Sequence, residues 1–529
     1  MDIQCDYLVV GTGSAGAVVA NRLSADPAIS VLALEAGPRN KNRFIGIPAA
    51  FSKLFRSEVD WDYLTEPQAQ LGGREIYWPR GKVLGGSSSM NAMMWVRGFG
   101  ADYDEWASRA GPDWSYAEAL GYFRRIENVT DAWHFVSGDD SGVSGPLHVS
   151  RQRSPSGLTA AWLQATRECG LPAAQPNSVA PEGFCETVVT QRRGARFSTA
   201  DGYLKPAMQR KNLTVLTEAT ATRIVFDGPR AVGVEYRSKG QSSVAYAGRE
   251  VILCGGAVNS PQLLMLSGIG DREHLTEHGI DTVYHAPEVG RNLLDHLVTP
   301  LGFAVEKGSL AAAQTPKQLI NYLTRRRGML TSNVGEAYGF LRSRPDLELP
   351  DIELIFAPAP FYDEGLLTKS PGHGVVFGPI LVAPESRGQI TLRSADPSVK
   401  PVIEPRYLSD PGGVDRAAMM AGLRICAQIA EAPALKPFLG PIARPRNSTE
   451  LDEETLELAL THCSHTLYHP LGTCRMGNDE ASVVDPQLRV RGVDGLRIAD
   501  ASVMPSTIRG HTHAPSVLVG EKAADLIRG

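Results

Sequence analysis

The sequence predicts an α/β enzyme fold in which two domains interleave. Strand, glycine turn and helix, the material of a nucleotide-binding unit, return at 5–36, 213–270 and 480–528. Glycine and proline are abundant yet dispersed, as in a large enzyme with many tight turns. At about 150 residues per domain the length alone would suggest three to four pieces. Segments that return after long gaps argue instead for distant parts assembling into one unit.

The first segment opens on the apolar strand Tyr7-Leu8-Val9-Val10, turns on glycines, enters an Ala/Val-rich helix and reaches a second strand at 31–34. The second holds strand-like runs at 214–216, 222–227, 230–237 and 250–254, then a helix from Ser260. The third ends in a helix at 516–527. Between them, 100–190 and 300–460 read as mixed structure, with a helix at 414–431 and an alternating strand at 388–393. The Ser/Gly/Asp-rich stretch 128–157 reads as surface loop around one short strand at 146–149.

Charge and cysteine content narrow the function classes. A net charge of −5 carries no nucleic-acid footprint. The first residues include acids where a signal peptide needs bases, and no apolar run approaches the roughly 18 residues of a membrane span. Seven cysteines at irregular spacing make neither a disulfide framework nor a Cys-x-x-Cys metal site. Reduced thiols in a cytoplasmic protein are expected.

Gly11-Thr12-Gly13-Ser14-Ala15-Gly16 follows a strand and opens a helix, and Glu35 stands 19 residues after Gly16 at the end of the next strand. Gly11 permits the tight turn, Gly13 admits a pyrophosphate close to backbone, and Gly16 lets the helix pack on the strand. The helix N-terminus offers free N–H groups to phosphate, and Glu35 can accept from ribose hydroxyls. This predicts a dinucleotide and does not separate NAD from FAD.

A second glycine-serine loop, Trp78-Pro79-Arg80-Gly81-Lys82-Val83-Leu84-Gly85-Gly86-Ser87-Ser88-Ser89-Met90-Asn91, follows about 70 residues later. Four further stretches come in order: 256–270 (GAVNSPQLLMLSGIG), 289–296 (VGRNLLDH), 468–477 (YHPLGTCRMG) and 498–505 (IADASVMP). Together these motifs resemble the glucose–methanol–choline (GMC) family of FAD-dependent oxidoreductases, in its choline-dehydrogenase-like, alcohol-dehydrogenase branch. The resemblance spans essentially the whole chain.

That resemblance implies a Rossmann-like FAD-binding domain from 1–40, 75–100, 195–300 and 480–529. It implies a substrate domain on a mixed or antiparallel sheet with helices from 41–74, 101–194 and 301–479. It places Glu35 and Ala36 at the adenosine ribose and Ala221 near the adenine. Arg80, Gly81, Gly85, Gly86, Asn91, Ala92 and Met93 fall on the loop around pyrophosphate and flavin. Asp500 and Ala501 are implied for the ribityl-pyrophosphate portion, and Trp61, His511 and Pro515 as further cofactor contacts. Some family members attach FAD through a histidine immediately before the loop asparagine. Here that position is Met90, whose thioether is a poor nucleophile, so non-covalent FAD is expected.

The same resemblance makes His469 the catalytic histidine. Oxidising a carbinol by hydride transfer requires the hydroxyl proton to leave, and a neutral imidazole suits that task near pH 7. His511-Thr512-His513-Ala514-Pro515 stands where the branch usually has Asn-x-Asn-Ala-Pro. His513 is expected as the hydrogen-bond partner of His469, with His511 supporting the flavin. Which of His469 and His513 is the base stays open, because two close imidazoles titrate together.

His274-Leu275-Thr276-Glu277-His278 matches an inverted zinc-protease motif, but Gly270-Asp271 and Gly279 confine it to a short helix. No metal is expected there or elsewhere. His134, His148, His285, His296 and His373 are read as structural, while His462 and His465 lie close enough in sequence to line the pocket. Glu336 is read as structural, against a role in holding a substrate cation. The function expected is oxidation of a primary alcohol to an aldehyde, with a quinone-type acceptor. The same resemblance places Leu467 near the flavin, where its bulk would hinder oxygen. The alternatives are an oxidase using O2 and making hydrogen peroxide, or a flavin-binding sensor without turnover. Expected partners are a small alcohol and the electron acceptor, with no nucleic acid and no transmembrane segment; peripheral membrane association stays open.

Overall fold

Two seven-stranded sheets organise the chain, whose computed structural model describes residues 3–129, 141–366 and 372–529. The first sheet runs in the order Leu213–Thr217, Val31–Glu35, Ile3–Val10, Gln241–Leu253, Arg230–Ser238, Ala219–Asp227, and Leu496–Ile498 joins it beside Gln241–Leu253. Ile3–Val10 pairs in parallel with both neighbours, so its C-terminal half and all of Val31–Glu35 are buried. Parallel strands covered on both faces need continuous apolar runs, and Leu8-Val9-Val10 and Val31-Leu32-Ala33-Leu34 supply them.

The helix Gly16–Leu23 packs against the C-terminal helix His513–Arg528. A side chain at Gly520 would sit 2.7 Å from the carbonyl oxygen of Ala15, so these helices meet backbone to backbone. Glu521, fully buried, locks the contact. It accepts from Arg22 at 2.7 Å and Tyr203 Oη at 2.8 Å, and pairs with Arg125 at 2.9 Å. Stranding such a carboxylate by removing its partners would cost about 3–5 kcal/mol.

The second sheet is antiparallel: Ala337–Leu341, Ile352–Ala357, Gly374–Leu381, Leu297–Val298 and His465–Thr466, with Leu301–Val305 and Leu439–Arg444 attached. Helix Val414–Glu431 covers it through Met419, Met420, Leu423 and Cys426. Its Gly422 lies where a Cβ would be 2.5 Å from Pro379.

Most elements expected from sequence form, with informative shifts. The run at 250–254 is the end of the longer strand Gln241–Leu253, and its helix begins at Gly256 rather than Ser260. The short strand is Leu147–Arg151, and the alternating one is Gln389–Thr391, paired with Val402–Glu404. Leu297–Val298, grouped on sequence with the cofactor-binding segments, hydrogen-bonds within the second sheet. Part of the 128–157 stretch, including His134, lies outside the described residues. All seven cysteines are free thiols. Among the described residues no helix is long and apolar enough to cross a membrane.

Candidate active site

Residues of both sheets line one large cavity. Val10, Leu34, Glu35 and Ala36 belong to its parallel-strand side, with Ala221 beside them. Val298, Ile355, Val376, Leu467 and His469 belong to its antiparallel side. Its floor is glycine backbone. Gly11 holds φ +97°, and a Cβ there would meet the carbonyl oxygen of Cys254 at 2.5 Å. Gly86 holds φ +51°, and a Cβ there would meet Gly13 Cα at 2.7 Å, so the two glycine loops touch directly. At the start of helix Gly16–Leu23 no side chain caps the turn, and the amides of Gly13, Ser14 and Ala15 have no protein acceptor among the described residues. Unspent donors at a helix N-terminus beside a bare glycine floor fit a pyrophosphate.

The two carboxylates expected at the cofactor brace the cavity walls. Glu35 Oε2 accepts from the Thr12 amide at 3.1 Å and hydroxyl at 2.7 Å, and Oε1 accepts from the Gly37 amide at 2.9 Å. Asp500 Oδ2 accepts from the Gly256 amide at 2.8 Å and Ser260 Oγ at 2.6 Å, tying the C-terminal motif to the helix Gly256–Leu266. Burial pushes both pKa values up, against the pull of these hydrogen bonds.

Thr12, Trp61, Arg80, Gly81, Asn91, Ala92, Met93 and Ala501 also line the cavity. Asn91 is held firmly: its Oδ1 accepts from the Met93 amide at 3.0 Å and from Arg196 at 2.7 Å. Gly16, Gly85 and Pro515, expected as contacts, stand behind the wall instead. A Cβ at Gly16 would meet the Gly11 carbonyl at 2.0 Å, the Gly85 amide is spent on Thr12, and Pro515 is buried in the first turn of helix His513–Arg528. They shape the loops rather than face a ligand.

The histidines differ from the expected arrangement. Of the two histidines at 511 and 513, the one beside His469 is His511, with ring centroids 4.6 Å apart. The chain turns into a helix at Thr512, which carries His513 away. Its Nδ1 lies 3.0 Å from Ser14 Oγ and its ring stands edge-on to Trp95. Burial, then the Arg196 charge, lowers His513 to about 4. His511 Nε2 lies 3.0 Å from Glu353 Oε1, on a fully buried carboxylate.

His296, read from sequence as structural, touches the candidate base directly. Its Nδ1 is 3.0 Å from His469 Nδ1, and its Nε2 is 3.2 Å from Thr507 Oγ1. The protons in this chain can be placed. Thr507 spends its only hydrogen on the Val382 carbonyl at 2.8 Å, so it can only accept from His296 Nε2–H. Burial drops the His296 pKa to about 3, leaving a neutral ring whose Nδ1 is then a lone pair. His469 must donate to it from Nδ1. Its other nitrogen, Nε2, is left as an unshared lone pair on a residue that lines the cavity. Burial first, then the neighbouring His511, His296 and Arg80, hold His469 well below the ordinary histidine pKa. Beneath it, Asp295 Oδ1 accepts the His469 amide at 2.8 Å, and burial raises this carboxyl to about 6.

Sequence reasoning missed His296, Thr507, Glu353, Asp295 and Arg196. Only the Asp295-His296 pair had an available clue, since it ends one of the quoted motifs. His465 lines the main cavity and an adjoining smaller one, whereas His462 lines the smaller alone. Glu336 is buried and is not among the residues lining the cavity: it accepts from Ser156 N at 2.7 Å, Thr159 Oγ1 at 2.5 Å and Ser332 Oγ at 2.6 Å. His274, Glu277 and His278 do converge, their ligand atoms within 4.8 Å of one another. Yet His274 Nε2 accepts the Leu392 amide at 3.0 Å, which puts the neutral ring's proton on Nδ1 and leaves no lone pair for a metal. The helix is short, Arg272–Glu277, capped by the Asp271 side chain.

Comparison with known proteins identifies the family. Two family models described as GMC oxidoreductase match residues 5–298 and 384–520. An uncharacterized GMC-type oxidoreductase of Mycobacterium tuberculosis is 83% identical, covering 100% of both chains. An alcohol dehydrogenase [acceptor] of Pseudomonas putida is 41% identical over 99% of this chain and 95% of its own. The crystal structure of pyridoxine 4-oxidase from Mesorbium loti superposes with a TM-score of 0.87 at 31% identity, covering 98% of each chain.

Proposed function

We propose, from the premise that the chain belongs to the GMC oxidoreductase family and binds FAD, that it oxidises a primary alcohol to an aldehyde and passes the electrons to a quinone-type acceptor. One observation carries this reading: the Thr507–His296–His469 chain leaves His469 Nε2 unprotonated at the cavity wall. A neutral imidazole so fixed is a proton acceptor, and a binding protein without turnover has no need of one.

FAD, when bound, supplies the two-electron acceptor for the carbinol hydride. Gly11, Gly13, Ser14 and Ala15 would hold its pyrophosphate, Glu35, Ala36 and Ala221 its adenosine, and Trp61, Arg80, Asn91, Ala92, Met93, Asp500 and Ala501 the remainder. His513, beside Ser14, belongs with this group. At the other end His469 Nε2 accepts the hydroxyl proton. His511, anchored by Glu353, packs against the His469 ring and fixes it beside the alcohol oxygen. The charge that arises on His469 is offset by Asp295 beneath it. Phe51, Phe55, Val334 and Phe361 line the cavity with apolar surface, which fits an apolar substituent on the carbinol carbon. Met90 gives the flavin no covalent anchor, so acid precipitation should leave FAD in the supernatant; colour retained by the pellet would contradict this.

The test is an anaerobic panel of aromatic, aliphatic and amino alcohols read by flavin absorbance. Bleaching by at least one alcohol is expected, and none across the panel would sink the proposal. A second reading, oxidase, is favoured by the likeness to a protein named pyridoxine 4-oxidase. Reoxidation by air timed against reoxidation by a soluble quinone separates the two.

A further inference from the structure

Helix Pro316–Arg325 wears its apolar side outward. Its sequence PKQLINYLTR buries only Tyr322, whose Oη donates to the Gly46 carbonyl at 2.9 Å. Leu319, Ile320 and Leu323 fall within about 100° of arc around the helix, and they are 45%, 61% and 61% exposed. Isolated exposed leucines are ordinary, but three large aliphatics on one short helix form a patch.

Basic residues flank that patch. The helix runs into Arg325-Arg326-Arg327, all exposed. The stretch it packs beside, reached through Gly46 and through contact of Pro48–Leu54 with Met329–Thr331, is basic too. Residues 39–53 and 307–330 together hold nine lysines and arginines, all exposed, and no acid, in a chain whose net charge is −5. An outward apolar ridge flanked by a basic collar is the pattern of a helix lying in the plane of an anionic lipid surface.

We propose that this face docks the protein peripherally on an anionic membrane, with Leu319, Ile320 and Leu323 in the headgroup–acyl boundary and the basic collar on the lipid phosphates. Pro48–Leu54 sits on the collar side and also lends Phe51 to the cavity wall, so the docked face and the substrate cavity share an element. For a quinone acceptor dissolved in that bilayer, this would shorten the path to the flavin. That last step rests on the function proposed above; the docking does not.

The FAD-loaded protein is sedimented with vesicles of phosphatidylcholine alone and of phosphatidylcholine with phosphatidylglycerol. Binding is expected only with the anionic vesicles, falling as salt rises. Ile320→Glu/Leu323→Glu should weaken it at least about tenfold, the scale of removing two partly inserted aliphatic side chains. Flavin spectrum and dye-linked turnover should stay at the wild-type level. Wild-type protein left in the supernatant with both vesicle types would overturn the proposal, as would equal sedimentation of the double variant. A dimer in light scattering that the same substitutions dissociate would also overturn it, because the ridge would then cover a second copy. Sedimentation reads no chemistry, so binding without alcohol-driven bleaching would spare the docking and sink the function.

Discussion

The glycine floor and the histidine wall of one cavity are built on opposite principles. The floor works by what is missing: at Gly11, Gly16 and Gly86 any Cβ would strike backbone, and the ligand is met by main-chain N–H groups. The wall works by what is present: three imidazoles from 296, 469 and 511, anchored by Thr507 at one end and Glu353 at the other. A backbone site follows from local sequence, because a turn is made by neighbours in the chain. A proton-handling site depends on groups far apart in sequence meeting in space.

Substitutions should therefore separate the two regions. The largest effect is expected at the wall: His469→Ala should slow flavin reduction by alcohol at least about a hundredfold while leaving FAD bound, the scale of losing a positioned base. Stopped-flow reduction at near-wild-type rate would refute the assignment. At the floor, Gly86→Ala should reverse the pattern. The left-handed φ and the 2.7 Å approach to Gly13 imply about 2 kcal/mol of strain, or about thirtyfold weaker FAD, with turnover of the remaining holoenzyme little changed.

A pH test targets His513, neutral in the fold down to about 4 and near 6.5 unfolded. A lowered folded pKa contributes stability that is present above pH 6.5 and lost as pH falls through the folded value. The stability difference between wild type and His513→Asn should shift against the wild type by about 2 kcal/mol from pH 7 to pH 5. A difference that stays flat with pH would mean that His513 takes up its proton in the fold as readily as in the unfolded chain. The smallest and sharpest contrast comes last. His511→Asn should lower the reduction rate about tenfold with FAD affinity kept, on the scale of one hydrogen bond to a charged group, and His513→Asn should do the converse. Equal effects of the two on both readouts would erase the distinction drawn between them.

The glycine turn, Glu35, the second loop and most strands were legible because each is a local pattern: period, turn residue, helix start. The pairing of His469 with His513 was not. Sequence distance favours neither candidate, and the helix entry at Thr512 decides which ring stays at the wall. His296 looked like any buried histidine, since nothing in the residues around it reveals that its Nδ1 meets a ring 173 positions away. Glu336 was read as structural, and its hydroxyl partners at 159 and 332 were visible only in three dimensions.

The first sheet carries a consequence for the order in which the protein can be made. Its opening strand, Ile3–Val10, is flanked by Gln241–Leu253, and that strand's far edge is covered by Leu496–Ile498. A ribosome releases the first half of the dinucleotide turn some 480 residues before the strand that closes the sheet beside it. Throughout that interval an apolar strand edge stands open, and pairings over such separations form slowly. Cofactor capture is thus expected only once that strand has emerged, and a chain stopped short of 496 should be retained by chaperones as colourless protein.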